Sequence, residues 1–222
     1  MTDGGEQADP EQADPEQGCR KRGCREATAS KAALRARLLT ARAARSDSGR
    51  TAAGLAIAGA TRALDVRLRS ATVVAAYLSI GSEPPTGPLL AMLADAGVTL
   101  IVPVLLDGGA LDWAPYRPGD PVAAGLHGTI QPISPPLGVD AVSGADVVFV
   151  PALAADRRGG RLGRGGGSYD RALTRVRAGA SVVAVVYDDE VLTEVPMQAH
   201  DRRVDATLTP SGLAIRPQYP PS

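Results

Sequence analysis

The stretch DVVFVPALAADRRGGRLGRGGGSYDRAL (residues 146–173) contains three different local patterns in succession. Residues 146–151 form a short valine-rich apolar run, which is typical of a strand covered on both faces. Residues 159–167 hold six glycines and two arginines, and a helical pattern starts near Tyr169. A strand, a loop and a helix in this order indicate an α/β protein, in which ligands bind beyond the carboxyl ends of the strands.

Other segments extend this pattern on both sides. Valine-rich runs at residues 71–78, 98–103 and 181–187 predict further buried strands, and residues 86–97 predict a helix with Thr86 as a possible cap and Gly97 as its terminator. Two more helices are expected at residues 30–46 and at about 50–68. The sequence therefore predicts a layered α/β domain with a largely parallel sheet flanked by helices, including two N-terminal helices.

Domain boundaries follow from composition. Residues 1–27 contain a tandem EQADP repeat without a periodic apolar face, so we expect a disordered tail. A single α/β domain is predicted for residues 28–215, followed by a short C-terminal tail at 216–222. Residues 104–140 are less regular and predict a hairpin, packed by Trp113 and Tyr116, and then an extended proline-rich segment. Long insertions of this kind often line sites.

Bulk properties exclude some functional classes. The formal net charge is zero, which argues against a general attraction to nucleic acid or to a membrane surface. No apolar run approaches the roughly 20 residues that span a bilayer, and the acidic N-terminus does not resemble a secretory signal. Cys19 and Cys24 lack further metal ligands nearby, so a disulfide or incidental thiols are favoured over zinc. We expect a cytoplasmic protein and a monomer in preference to an oligomer.

The glycine-rich loop has the composition of a polyphosphate site. Glycines let backbone N–H groups converge on a phosphate, and arginine side chains donate several hydrogen bonds to its oxygens. It is not a P-loop, because no lysine follows Gly167, and it is not a dinucleotide fingerprint, because Ser168 stands where a glycine is needed. Asp170 beside such a loop suits Mg²⁺; the alternative is that Asp170 caps a helix after a mobile surface loop.

The residues quoted above closely resemble the signature of the 5-formyltetrahydrofolate cyclo-ligases. Three other segments agree with that family in the right order, so the resemblance covers about residues 30–210. These segments are KAALR (31–35), YLSIGSEPPT (77–86) and VPMQAHDRRVDATLT (195–209). The resemblance implies a reaction in which ATP and 5-formyltetrahydrofolate give 5,10-methenyltetrahydrofolate, ADP and phosphate. Phosphorylation turns the formyl oxygen into a leaving group, and a neighbouring nitrogen then closes the ring.

The resemblance also implies roles for individual residues. Glu83, Arg164 and Asp170 are predicted to be catalytic. The predicted magnesium ligands are Asp170 and Asp201, with Asp205 as a weaker third candidate. The predicted ATP-binding residues are Lys31, Arg35, Arg161, Leu162, Gly163, Arg164, Gly165, Gly166, Gly167, Ser168 and Tyr169. The predicted folate-binding residues are Leu78, Glu83, His127, Arg164, Gly165, Gly166, Gly167 and Ser168.

Two positions depart from the family pattern. The family usually has two tyrosines before the aspartate, whereas this chain has Ser168 and Tyr169. His127 stands where an aromatic residue often precedes the segment TIQP. Both changes are expected to affect the affinity for folate more than the type of reaction.

Three other hypotheses remain open from the sequence. The first is a different enzyme on a scaffold like that of sugar-phosphate isomerases or CoA transferases. The second is a non-catalytic relative that binds a nucleotide or folate. The third is a nucleic-acid-binding protein that uses the basic segment 19–25. The last is the weakest, because that segment lacks aromatic stacking partners. Small-molecule substrates are the expected partners.

Overall fold

The computed structural model describes residues 30–61 and 71–216. The predicted tail at 1–27, Cys19 and Cys24, the end of the second predicted helix, and the C-terminal tail beyond Arg216 lie outside the described residues. Within the described residues, no helix is long and apolar enough to cross a membrane.

Four α-helices and twelve strands make up the described part of the chain. The helices are α1 (30–43), α2 (Asp47–Ala60), α3 (Gly87–Asp95) and α4 (Ser168–Leu173). The strands are β1 (Val73–Ala75), β2 (Thr99–Leu105), β3 (Leu111–Pro115), β4 (Val122–Ala124), β5 (Ile130–Pro132), β6 (Val147–Pro151), β7 (Ala154–Asp156), β8 (Arg161–Leu162), β9 (Ser181–Val185), β10 (Val191–Leu192), β11 (Ala206–Thr209) and β12 (Gly212–Ile215).

The main sheet confirms the predicted fold class. Its order is β12-β11-β9-β6-β1-β2-β3. The five central strands are parallel, and antiparallel β3 and β12 close the two edges. In chain order the parallel strands run 2-1-3-4-5, so the direction of winding reverses between β1 and β6. Ligands bind at such a reversal in open α/β sheets.

Apolar layers cover both faces of this sheet. On one face, Ile57 of α2 and Leu89 and Leu93 of α3 pack with Phe149 of β6. On the other face, Trp113 is fully buried with Val148 and Val150, as expected for a residue that packs the hairpin. Burial of each such side chain contributes about 1.5–3 kcal/mol, which explains why the short valine-rich runs form stable strands.

Several predicted elements differ in detail from the structure. Thr86 precedes α3, but its side chain does not cap that helix. The Oγ1 hydroxyl instead donates to the carbonyl oxygen of Tyr77 at 2.7 Å and accepts from the N–H of Ser79 at 3.1 Å. Thr86 therefore ties the start of α3 to the end of β1, a contact between segments that a local capping pattern does not reveal.

Residues 104–140 contain a second hairpin in place of the extended segment predicted there. Strands β4 and β5 pair antiparallel around a turn at Leu126–Gly128. Both strands have only three residues, and Pro132 ends the second, so the pattern did not distinguish them from an extended chain. The hairpin brings the turn toward the carboxyl end of the sheet.

The predicted loop after β6 also contains regular structure. Strands β7 and β8 form a hairpin, and β10 pairs beside β7 in a small three-stranded sheet. The Oδ1 atom of Asp156 accepts from the N–H groups of Arg158 and Gly160, both at 2.8 Å, which fixes the turn. Arg161 is thereby held in the second strand of a rigid hairpin, while Gly163–Gly167 remains the loop proper.

Gly159 in this turn provides a test of the hairpin. It has a φ of 81°, and a Cβ atom there would lie 2.3 Å from the carbonyl oxygen of Val204. We expect Gly159→Ala to lower the free energy of unfolding by about 2–4 kcal/mol, because it combines a left-handed backbone with a backbone clash. Gly179→Ala has a similar φ of 88° but open space, and should cost only about 1–2 kcal/mol. Equal losses in urea unfolding would contradict the proposed clash.

Candidate active site

A cavity of about 530 Å³ opens beyond the carboxyl ends of β1 and β6. Apart from Asp205, every residue that the sequence predicted for the site lines it, from helix α1, the end of β1, the β4–β5 turn, the glycine loop and the segment before β11. The Oδ2 atom of Asp205, the weaker third magnesium candidate, accepts from the N–H of Val182 at the opposite end of the sheet. Asp205 is therefore not a third carboxylate of this site.

Helix α1 supplies one wall of the cavity. Lys31 is buried, and its Nζ lies 2.5 Å from Oδ2 of Asp201 and 3.2 Å from Oε1 of Gln198. Arg35, one turn along the helix, donates from Nε to the carbonyl oxygen of Gly163 at 2.9 Å. Its guanidinium group also approaches Gly165, where a Cβ atom would lie 3.6 Å from the central carbon.

Arg42 is a cavity residue that the sequence analysis missed. Its guanidinium group is buried and donates to both carboxylate oxygens of Glu190, at 2.6 and 2.7 Å, and to the carbonyl oxygen of Ala152 at 2.6 Å. Its position in the sequence could have identified it, because residues 31, 35 and 42 are spaced by four and seven and so lie on one face of a helix. Arg42 attaches α1 to the sheet about two turns after Arg35 on the same face of the helix.

The glycine loop is attached on both sides. Arg161 is buried and donates from an Nη atom to Oδ1 of Asp170 at 2.8 Å. The same oxygen accepts from the N–H of Arg202 at 3.1 Å, which brings Asp170 close to the residue after Asp201. Arg171, one residue beyond Asp170, donates to the carbonyl oxygens of Gly109 at 2.7 Å and Gly166 at 3.1 Å, and so joins the loop to the β2–β3 turn.

Glu83 lies on the β1 side of the cavity and is buried. Burial raises the pKa of Glu83, and the N–H of Ile80 and the nearby Arg164 oppose that rise without cancelling it. The Nε atom of Arg164 lies 3.3 Å from Oε1 of Glu83, while about half of the Arg164 side chain is exposed. Arg164 therefore connects the glycine loop to the acid on the other side of the cavity.

The pKa of Asp201 shifts in the opposite direction to that of Glu83. Burial alone would raise the pKa of this carboxyl, but the hydrogen bonds from Lys31 and from the N–H of Gln198 outweigh it and lower the pKa. Asp201 is thus a firmly ionised carboxylate. The acids on the two sides of the cavity differ in how strongly they retain a proton.

Two further features set the shape of the wall formed by the end of β1 and the β4–β5 turn. Leu78 is half-buried and packs on the core beneath the end of β1. His127 is at the tip of the β4–β5 turn with a φ of 53°, the only positive value among the non-glycine residues that the structure describes. Such backbone conformations cost free energy and cluster at ligand sites.

Within residues 30–61 and 71–216, no three carboxylate, histidine or cysteine side chains lie close enough together to hold a metal ion. Asp170 and Asp201 are nevertheless oxygen ligands of the kind Mg²⁺ prefers, and each already holds a cation, Arg161 or Lys31. Mg²⁺ commonly takes one or two carboxylates and completes its shell with water and phosphate oxygens. The donor set therefore fits an ion that arrives with a phosphate ligand.

The fold and the site together define an α/β protein with a glycine- and arginine-rich loop beside a cavity at the switch point of its sheet. A model of the 5-formyltetrahydrofolate cyclo-ligase family matches residues 27–210, and the chain belongs to that family. The predicted family and the predicted enzyme class, a cyclo-ligase, are therefore confirmed.

Individual relatives agree with this assignment. The chain is 45% identical to the 5-formyltetrahydrofolate cyclo-ligase of Mycolicibacterium smegmatis over 146 residues, which are 64% of this chain and 75% of the relative. The Escherichia coli K12 enzyme of the same name is 32% identical over 144 residues, 64% of this chain and 79% of that one.

The solved 5,10-methenyltetrahydrofolate synthetase of Aquifex aeolicus has a TM-score of 0.73 at 25% identity, covering 86% of this chain and 95% of the other. The Mycoplasma pneumoniae synthetase shares the fold, with a TM-score of 0.65 at 16% identity over 81% of this chain and 98% of that one.

The raised pKa of Glu83 makes a prediction about stability. Between the ordinary glutamate pKa and the higher folded value, the folded protein binds more protons than the unfolded chain, so its stability falls as the pH rises through that window. Glu83→Gln has no ionisable side chain at this position, so it removes this loss of stability. We expect the variant to melt at a higher temperature than the wild type above the window, with the difference shrinking as the pH falls.

Thermal unfolding measured at a series of pH values checks this expectation. The exposed Glu194→Gln is the matched control and should change the melting temperature little throughout. A Glu83→Gln variant that is less stable than the wild type at neutral pH would show that the contact with Arg164 outweighs the cost of burying the charge.

Proposed function

We propose that this member of the cyclo-ligase family converts 5-formyltetrahydrofolate into 5,10-methenyltetrahydrofolate in the cavity, with ATP as the second substrate. The observation that carries the proposal is the pairing of three carboxylates with three cations around one cavity. Glu83 is paired with Arg164, Asp170 with Arg161 and Asp201 with Lys31. Each of these residues is also predicted from the family signature.

The wall formed by α1 and the glycine loop suits the nucleotide. Lys31 and Arg161 are buried cations next to the loop Gly163–Gly167, and Arg35 holds that loop from the helix side. Phosphate oxygens compete well for such donors, because hydrogen bonds between charged groups are short and strong. We propose that the triphosphate takes over Lys31 and Arg161 from their present carboxylate partners.

Asp170 and Asp201 are then left to hold Mg²⁺. When bound there, the ion would neutralise phosphate charge and orient the transferred group. The exchange keeps every charge paired, because the cations pass to the phosphates while the carboxylates pass to the metal. Through this exchange, binding of the ion is coupled to binding of the nucleotide.

The opposite wall suits the folate. Leu78 offers an apolar surface, Glu83 offers a carboxyl for hydrogen bonds to the pterin or the formyl group, and His127 offers a ring at the β4–β5 turn. Arg164 reaches from the nucleotide loop to Glu83, so it lies where the phosphoryl group must pass between the two ligands. A site of this kind acts by positioning and by neutralising charge.

The chemistry proceeds in two steps. The formyl oxygen attacks the γ-phosphorus of ATP, a new oxygen–phosphorus bond forms, and the bond to the ADP oxygen breaks. The neighbouring folate nitrogen then attacks the formyl carbon and loses its proton, and the carbon–oxygen bond breaks to release phosphate. Arg164 is proposed to stabilise the transferred phosphoryl group, and Glu83 to orient the formyl-bearing ring.

A non-catalytic binding protein is the second candidate, and Ser168 is the residue that favours it. Loss of the usual tyrosine removes ring surface beside the folate while leaving the nucleotide side intact. Such a protein would bind ATP without turning over folate. Cytoplasmic location and a monomeric state remain proposals, which cell fractionation and light scattering would test.

Formation of the methenyl product tests the catalytic proposal. The product is conjugated and absorbs at longer wavelength than the substrate, so its appearance can be followed directly. We expect turnover that requires ATP and Mg²⁺, and a loss of about 100-fold or more in Asp170→Asn, which lacks a charge needed for both the metal and Arg161. Asp140→Asn removes an exposed carboxylate paired with Arg175 and should keep full activity. ATP binding without any product would instead favour the non-catalytic reading.

Position 168 tests the folate side separately. Ser168→Tyr restores ring surface next to the cavity, and we expect the KM for 5-formyltetrahydrofolate to fall about two- to tenfold through stacking, with the KM for ATP unchanged. Ser168→Ala removes the hydroxyl without adding a ring and is the comparison. If both variants behave alike, the ring at this position makes no contribution.

A further inference from the structure

The side chain of Tyr77 is a buried polar group that the mechanism above does not use. It follows β1 directly, lines the cavity and is only 3% exposed. Its hydroxyl oxygen is buried and has no hydrogen-bond partner among the described residues. Buried polar atoms in folded proteins almost always have a partner, so each exception calls for an explanation.

A purely structural role does not explain this hydroxyl. The ring of Tyr77 packs in the apolar cluster with Ile57, Leu89 and Phe149, and phenylalanine would fill the same space without burying an unpaired hydroxyl. Burying a hydroxyl without a partner costs free energy, which the unliganded protein does not recover. The cost is understandable if a ligand supplies the missing partner.

The surroundings of the hydroxyl indicate which ligand that is. After burial itself, the charge of Glu83 is the main influence that raises the pKa of Tyr77, followed by Tyr169. Tyr77 and Glu83 line the same cavity, and the Tyr77 hydroxyl stays protonated and able to donate. The carboxylate of Glu83 has the N–H of Ile80 and Arg164 as its own neighbours.

The backbone holds Tyr77 in a fixed position. Its carbonyl oxygen accepts from Oγ1 of Thr86 at 2.7 Å, and Leu78, the next residue, lines the folate side of the cavity. A hydroxyl on a ring clamped in the core is a preorganised donor, which loses little freedom when a ligand binds. By contrast, the nucleotide donors come from α1 and the glycine loop.

We propose that the Tyr77 hydroxyl is a folate-binding group, which donates a hydrogen bond to a polar edge of the reduced pterin beside Glu83. The inference rests on the proposed function, since it takes 5-formyltetrahydrofolate to be the ligand on this side. It adds a hydrogen-bond donor from the core to a wall on which Glu83 offers mainly an acceptor.

Tyr77→Phe tests the inference, because it removes one oxygen and keeps the ring. Two opposite effects are expected in the same variant. The unliganded protein should melt at a higher temperature than the wild type, since an unpaired buried hydroxyl has been removed. Its Kd for 5-formyltetrahydrofolate, measured by calorimetry, should rise about three- to tenfold, with the Kd for ATP unchanged. Tyr116→Phe, in a tyrosine that packs on the same core but is not a lining residue of the cavity, is the control and should leave both Kd values unchanged.

The outcomes separate this inference from the proposed function. If the wild type does not bind 5-formyltetrahydrofolate, the proposed function fails. If the wild type binds it and Tyr77→Phe binds it equally well, the proposed function stands and the role of Tyr77 is overturned. A variant that melts lower, with folate affinity unchanged, would show that the hydroxyl has a structural partner. An equal loss of affinity for ATP would assign the hydroxyl to the nucleotide.

Discussion

The contact on which the site depends is the one between Arg42, Glu190 and the carbonyl oxygen of Ala152. It is buried and made at 2.6–2.7 Å, and it joins three separate parts of the chain. Helix α1 also packs through Leu38 against Ala154 of β7 and Leu162 of β8. The Arg42 contact adds a buried polar attachment, which helps to fix where Lys31 and Arg35 meet the glycine loop. Removing one partner of such a pair leaves a buried charge, which typically costs about 3–5 kcal/mol. The position of the cavity wall formed by α1 is therefore tied to the stability of the fold.

The second organising feature is internal charge pairing. Each of the three acids of the cavity contacts a lysine or an arginine, and Arg35 adds a further cation that contacts a carbonyl oxygen. Under the proposed function, the cavity accepts a polyphosphate and a divalent ion together, because the two ligands exchange partners with the pairs already present. This view explains why the described residues contain no preformed metal cage.

The sequence predicted the parallel strands, and the residues that it proposed for the site line one cavity, because both depend on local patterns. Valine-rich runs identify buried strands, and the glycine loop with Arg161, Arg164 and Asp170 has a recognisable order. The sequence did not predict contacts that join distant segments, such as Arg42 with Glu190 or Thr86 with the carbonyl of Tyr77. The β4–β5 hairpin was also missed, since three-residue strands ending in Pro132 give too little periodicity.

Contacts between separate segments explain how the carboxyl of Glu83 and the hydroxyl of Tyr77 can be held in a mostly apolar wall. Glu83 is buried at the cost of a raised pKa, and Tyr77 beside it is buried without a partner, so this side of the cavity is less stable than an apolar surface of the same shape. The fold maintains the arrangement because Thr86 fastens the turn and the core fixes the ring. A ligand that presents both acceptors and donors to this wall relieves both costs at once. Binding energy on the folate side would then come partly from strain already present in the free protein, and not only from new apolar contact.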